Sequence, residues 1–161
     1  MACMKLSSQE EYGLRCLLQV ARLDQGSPVP ISDVAQREGL STDYVAKLMR
    51  VLRQHELVVS VRGAQGGYKL ARPAEDITVH DAIVALDGLL YDGGFCEAHS
   101  GQHVSCVHST RCSLRGLWRW VGSALEQALA GITLADLMRG ETFVDSALPP
   151  LPALSLAEVT P

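Results

Sequence analysis

No stretch of this 161-residue chain approaches the roughly 18 to 20 consecutive apolar residues that a bilayer-spanning helix needs. Its first residues lack a basic segment followed by an unbroken apolar core, so no secretory leader is expected. A cytoplasmic location without membrane contact follows as the expectation. Cysteine is scarce, five in all, and thiols in a reducing compartment do not build a disulfide framework. There is no internal repeat. No nucleophile–base constellation is present either, which argues against an enzyme. Positive charge is also in deficit, with a formal net charge of −4, and that average alone would argue against a polyanion partner.

Other features are ordinary. The hydrophobic fraction of 47% fits a folded protein and excludes wholesale disorder. The length suits one domain with an extension, or a small domain with a dimerisation element. The charge, however, is unevenly spread. Between Ser41 and Arg72 lie Lys47, Arg50, Arg53, Arg62, Lys69 and Arg72 against only Asp43 and Glu56, so a module with an excess of four positive charges sits in an otherwise acidic chain. Such a module suits one surface that faces a polyanion.

Hydrophobic periodicity supplies the elements. KLSSQEEYGLRCLLQVARL predicts a first helix with Leu14, Leu17, Leu18 and Ala21 inward, opened by a capping box of Ser8 and Glu11. DQGSPVP stops it. Two shorter helices follow, one from about Ser32 to Arg37 ended by Gly39, and one from an N-cap at Thr42 to about His55. Val34, Ala35, Leu40, Val45, Leu48 and Leu52 form their inward set, while Thr42, Asp43, Ala46, Lys47, Arg50 and Arg53 fall mostly on the other face. This is the outline of a helix-turn-helix.

Val58–Arg62 and Tyr68–Ala71, joined by GAQGG, predict a β-hairpin placed as a wing. On that pattern Tyr44 and Lys47 approach base edges, Arg50 and Arg53 contact phosphates, and Arg62 probes a minor groove, with Gln65 and Gly66 completing the wing's contact. The competing reading is a solvated helix face.

Thr78 caps a further helix with Ala82, Ile83 and Leu86 inward. A long helix then carries Leu117, Trp118, Val121, Leu125, Ala128 and Leu129 at helical spacing, more apolar surface than a small domain needs, which suits a partner helix. Gly131 ends it and TLADLM adds a short last helix.

Between those helices, GFCEAHSGQHVSCVHSTRCSLRG gathers Cys96, Cys106 and Cys112 with His99, His103 and His108. Thiolates are soft ligands for zinc, copper(I) or iron–sulfur clusters. Nine and five residues separate successive cysteines, outside the two to four usual in structural zinc pairs. Yet Cys96 with His99, and His103 with Cys106, each enclose two residues, so a zinc site from those four competes with a cluster, and an unligated loop competes with both. Three cysteines leave a fourth position open. Cys3, near the chain start, and Cys16, inside the first helix, are poor ligand candidates, because a free cysteine in a helix is more often packed than reactive.

MKLSSQEEYGLRCLLQVA, VAQREGLSTDYVAKLMRVLRQHELVVSVRGAQGGYKLAR, ITVHDAIVALDG and CSLRGLWRWVGSALEQALAGITLADL together resemble the Rrf-type regulators, whose iron–sulfur members include IscR and NsrR. The resemblance runs from about Met4 to Met138. It implies a homodimer joined by the long helix, and a winged helix-turn-helix on palindromic double-stranded DNA. It also implies a two-iron or four-iron cluster on Cys96, Cys106 and Cys112 that tunes DNA affinity in response to redox, nitric oxide or cluster supply. The chain departs from the pattern in its longer first cysteine gap and in carrying Arg115 where IscR-like members have a ligating histidine. Glu11 matches an acidic position that some relatives supply as fourth ligand from the partner subunit. His108 is the second candidate, then His103 and His99.

The expected fold is mainly α with a small β-hairpin. Residues 4–90 make a winged helix-turn-helix DNA-binding domain and 91–116 a cysteine-rich cluster-binding loop. Residues 117–143 make the dimerisation helix and a short following helix, and 144–161 a flexible tail. The expected function is a dimeric DNA-binding regulator, acting as a repressor, that senses through the cluster. The alternatives are a zinc-bound or cluster-free regulator of the same fold and a small iron–sulfur redox protein.

Overall fold

A computed structural model describes residues 7–24, 26–63, 65–86, 100, 106, 108 and 112–140. The tail expected over 144–161 lies outside the described residues, as does most of the cysteine loop. Among the described residues the order is α1 (Ser8–Leu23), α2 (Ile31–Glu38), α3 (Thr42–Gln54), β1 (Val58–Val61), β2 (Gly67–Leu70), a 3-10 turn (Ala74–Asp76), α4 (Val79–Leu86), α5 (Ser113–Ala130) and α6 (Leu134–Met138). No described helix is long and apolar enough to cross a membrane.

Helix α1 is the hub, packing on α2, α3, α4, α6 and β2. It buries Gly13, Cys16, Leu17, Val20 and Ala21 along one stripe, the one-face periodicity of an amphipathic helix. Its cap differs from the expectation by one residue. Ser7, not Ser8, is the N-cap: its hydroxyl accepts from the Glu10 N–H at 3.2 Å and its own N–H donates to the Glu10 carboxylate at 2.7 Å. Adjacent serines followed by adjacent glutamates offer two equivalent boxes, and the earlier one is used. Glu11 is thereby left exposed and outside the box. Gln9 also donates from its side-chain amide to the Leu86 carbonyl. Gly13 lets α1 and α4 touch closely, since a β-carbon there would lie 2.2 Å from a Leu86 methyl.

Helix α2 ends on Gly39, whose φ of 66° is the left-handed cap that glycine adopts at no steric cost. The N-cap of helix α3 is Ser41 rather than Thr42, with the Ser41 hydroxyl accepting from the Tyr44 N–H at 3.3 Å. It buries Val45, Leu48, Met49 and Leu52. Met49 was missed by the sequence reading, and Leu40 and Ile83 are half-buried rather than core. The core joins these residues to Leu57, Val58, Ile77, Ala82, Ala85, Leu86 and Leu134.

The two strands pair antiparallel, Val58 with Leu70 through Val61 with Gly67, so β1 ends one residue earlier than expected and β2 lies one residue earlier at both limits. Val29, in the α1–α2 linker, adds a one-residue third strand: Val29 and Tyr68 exchange both backbone hydrogen bonds at 2.8 Å. Gly67 is required there, because a β-carbon would meet the Val29 carbonyl oxygen at 2.3 Å. The chain returns to the same domain after α5. Thr78 bridges Thr133, the Val79 N–H donates to Ile132 at 2.8 Å, and the Leu134 N–H donates to Ile77 at 2.7 Å.

Candidate nucleic-acid interface and cysteine segment

Helix α3 presents Thr42, Asp43, Lys47, Arg50 and Arg53 as exposed residues opposite its buried stripe. Asp43 stands in the first turn, where a carboxylate is favoured by the helix dipole. Arg62 and Gln65 are exposed on the hairpin loop, and Gly66 is half-buried. A β-carbon on Gly66 would approach the Val61 carbonyl oxygen to 2.5 Å, so that glycine serves the tightness of the wing. Among the described residues Lys47, Arg50, Arg53 and Arg62 form no ion pair, so no described carboxylate neutralises their charge.

Two of the six cations in the basic stretch are used inside the protein. Lys69 donates to the Gly26 carbonyl at 2.6 Å. Arg72 pairs with Asp81 at 2.8 Å and also reaches the Asp76 and Glu56 carbonyls. The polyanion-facing charge therefore rests on Lys47, Arg50, Arg53 and Arg62.

Tyr44 has a packing role that the pattern did not reveal. It is half-buried against the core, and its ring meets that of Tyr12 edge to face. Tyr12 in turn lies under the Arg15 guanidinium, whose Nε donates to Glu38 at 2.6 Å. Gln19 holds the other Glu38 oxygen at 2.6 Å. This brace sets α2, and the turn after it, against α1.

Sequence reasoning also missed Glu56 and Ser60. With Arg53, Val58, Val59, Ala71 and Arg72 they line an open cavity of about 560 Å³ between the end of α3 and the wing. Only the two arginines carry a signal that a sequence pattern could register.

Of the metal candidates, Cys96, His99 and His103 lie outside the described residues. Cys106 and Cys112 are half-buried, His108 is exposed, and Glu11 is exposed on α1. Cys112 occupies the N-cap position of α5 without a side-chain cap bond, so its sulfur is not spent on the helix end. Among the described residues no three His, Cys, Asp or Glu side chains form a metal-sized group. Cys16 is fully buried. Burial pushes its thiol up to about 12, helped by the Glu38 carboxylate and opposed by Arg15, so the sulfur stays a neutral core group.

Comparison with known proteins decides the lineage. Residues 6–140 match the Rrf2 family, described as "Iron-dependent Transcriptional regulator". The chain belongs to the Rrf2 family. A curated Rrf2-type relative, the HTH-type transcriptional regulator IscR of Vibrio atlanticus, is 40% identical over 136 residues, covering 84% of this chain and 76% of the relative. Among solved structures, T. potens IscR superposes with a TM-score of 0.66 at 36% identity, covering 84% of this chain and 87% of that one. CymR, the global cysteine regulator of B. subtilis, gives 0.67 at 30% identity, with coverage of 85% and 98%. The mainly helical fold with one hairpin is the winged-helix fold of these Rrf2 regulators. This Rrf2 protein is a DNA-binding transcriptional regulator and not an enzyme.

Proposed function

We propose that this Rrf2 protein is a cytoplasmic homodimer that represses transcription from palindromic operators and senses redox, nitric oxide or iron–sulfur status. The observation that carries the reading is the row of exposed cations, Lys47, Arg50 and Arg53 on α3 and Arg62 on the wing, none in an ion pair among the described residues. On this reading Lys47, with Thr42, Asp43 and the outer edge of Tyr44, faces the major groove. Arg50 and Arg53 meet phosphates, and Arg62, Gln65 and Gly66 follow the adjacent groove.

Dimerisation through α5 is supported by its apolar surface. Leu114, Leu117, Trp118 and Trp120 are exposed at 60%, 48%, 40% and 54%, more than a solvent-facing helix of a monomer carries. Two copies joined by a two-fold axis present two α3 helices, which calls for a palindromic site.

The donor chemistry fits an iron–sulfur cluster. Cys106 and Cys112 are half-buried soft donors, Cys16 is removed from contention by its burial, and Glu11 is released from helix capping. Cys96, Cys106 and Cys112 would hold the cluster and Glu11 of the opposite protomer would complete it, with His108 as the alternative. When bound, the cluster supplies a centre that oxidants and nitric oxide alter.

Selection of duplexes from a random library, followed by binding at increasing salt, tests the DNA reading; a palindromic consensus with a steep salt dependence is expected. Light scattering tests the dimer. Anaerobic reconstitution with iron and sulfide analysis tests the cluster. Zinc without iron or sulfide would overturn that assignment in favour of a zinc-bound regulator, and duplex binding absent with and without cofactor would favour a small redox protein.

A further inference from the structure

Arg72 leaves the hairpin two residues after β2, and its guanidinium spreads over three separate pieces of backbone and side chain. Nε donates to the Asp76 carbonyl at 2.9 Å, one terminal nitrogen to Asp81 at 2.8 Å, and the other to the Glu56 carbonyl at 3.5 Å. Glu56 is the residue that turns the chain from α3 into β1, and it does so at a φ of 58°, the one non-glycine residue in the left-handed region among those described. A residue held there needs outside support. Asp76 closes the 3-10 turn. Asp81 also accepts from the Thr78 N–H at 3.1 Å, while the Thr78 hydroxyl accepts from the Asp81 N–H at 3.0 Å, the reciprocal pair that opens α4. Thr78 is bridged to Thr133, just past the end of α5. One side chain thus joins the base of the wing to the segment that returns from the long helix.

The wing has a second, independent tie. Val29 and Tyr68 exchange backbone bonds, and Lys69 and the Leu70 N–H reach Gly26 and Asp24. That tie runs to the α1–α2 linker. It secures β2 from the linker side, while at the base of the hairpin, beside Leu57 and Ala71, the side chain that ties Glu56 to α4 is that of Arg72. The backbone bond from the Ala71 N–H to the Leu57 carbonyl, 3.1 Å, closes that base beside it.

We propose that Arg72 is the positioning residue of the wing: it fixes the base of the hairpin to the Thr78–Thr133 joint, so that the placement of Arg62 follows the end of α5. The proposal rests on the DNA-contacting role of the wing given above. Lysine cannot substitute, because a single ammonium does not span three acceptors set in a fork.

Two measurements test this on the full-length protein. The first needs no DNA. In Arg72→Gln, amide exchange at Leu57, Ala71 and Thr78 accelerates by about tenfold, the factor expected from losing a charge-assisted hydrogen bond. Val29, Tyr68 and the α3 amides keep their protection. Arg72→Lys behaves like Arg72→Gln. Unchanged exchange at the hairpin base, or an equal acceleration everywhere, overturns the proposal whatever the protein binds.

The second is a double-mutant cycle on a duplex selected from a random library. Arg62→Ala weakens binding by about five- to tenfold in the parent and by less than about twofold in Arg72→Gln, while Lys47→Ala weakens both equally. An Arg62→Ala effect that persists in Arg72→Gln, or that is missing from the parent, overturns it.

Discussion

Tyr12 and Tyr44 meet edge to face across the α1–α3 contact, with ring centroids 6.1 Å apart and planes at 82°. The geometry suits the positive edge of one ring on the negative face of the other. Tyr12→Leu and Tyr44→Leu should therefore be non-additive in urea denaturation, with a coupling of about 0.5–1.5 kcal/mol. Additive effects would mean that the two rings are merely adjacent.

The cations divide into two groups, and salt separates them. Alanine at Lys47, Arg50 or Arg53 should lower duplex affinity and reduce the slope of log affinity against log salt by about one each. Lys69→Ala should leave the slope unchanged, because Lys69 is bound to the Gly26 carbonyl. Equal slopes for all four variants would contradict the division.

Gly67→Ala should cost about 1–3 kcal/mol, the usual range for forcing atoms into a packed site. The obstacle is the Val29 carbonyl oxygen, a backbone atom that cannot swing aside. Guanidinium denaturation gives the number. Exchange at the Val29 and Tyr68 amides should rise selectively.

Asp81 gives a pH signature. Partial burial pushes its carboxyl up, but the Thr78 N–H, Arg72 and the Thr78 hydroxyl together hold it below the usual carboxylate range. A depressed folded-state value means that its contribution is complete above the unfolded-state value of about 3.9. The contribution disappears as the pH falls through the folded value. Asp81→Asn should cost about 0.5–1 kcal/mol near neutrality, a figure reduced for its solvent-accessible setting, and progressively less as the pH falls below the unfolded-state value. A difference that stays constant with pH would show that the charge is irrelevant.

Thiol reactivity should follow burial. Under native, metal-free conditions an alkylating reagent should modify Cys106 and Cys112 and spare Cys16, which becomes reactive only on unfolding. Mass spectrometry of the labelled peptides reads this directly. Native labelling of Cys16 would contradict its place in the core.

Much of the wing module was legible from pattern alone, because α2, α3 and the hairpin follow one another without a break. The errors have local causes. Ser7–Ser8 and Ser41–Thr42 each offer two good caps in a row, and composition cannot choose between neighbours with the same chemistry. Leu48 and Met49 are both buried because the face of α3 toward α1 and α4 is wider than a single stripe. The charge of Lys69 and Arg72 was visible, but their partners were not. Gly26 lies 43 residues from Lys69 and is reached only because the linker folds onto β2. The Thr78–Thr133 joint was equally hidden, since a single bridge between distant segments leaves no periodic trace.

The Pro28–Val29–Pro30 linker governs which way the small sheet can grow. Val29 alone in that tripeptide has a backbone N–H, and it is already given to Tyr68. The flanking prolines cannot continue the ladder. This edge is therefore sealed after a single residue, and among the described residues β1, with Val59 and Val61 exposed, is the open side. A sheet open on one side can pair with one further strand through that edge, but it cannot stack into a fibre, because growth needs a free edge on each side of every unit.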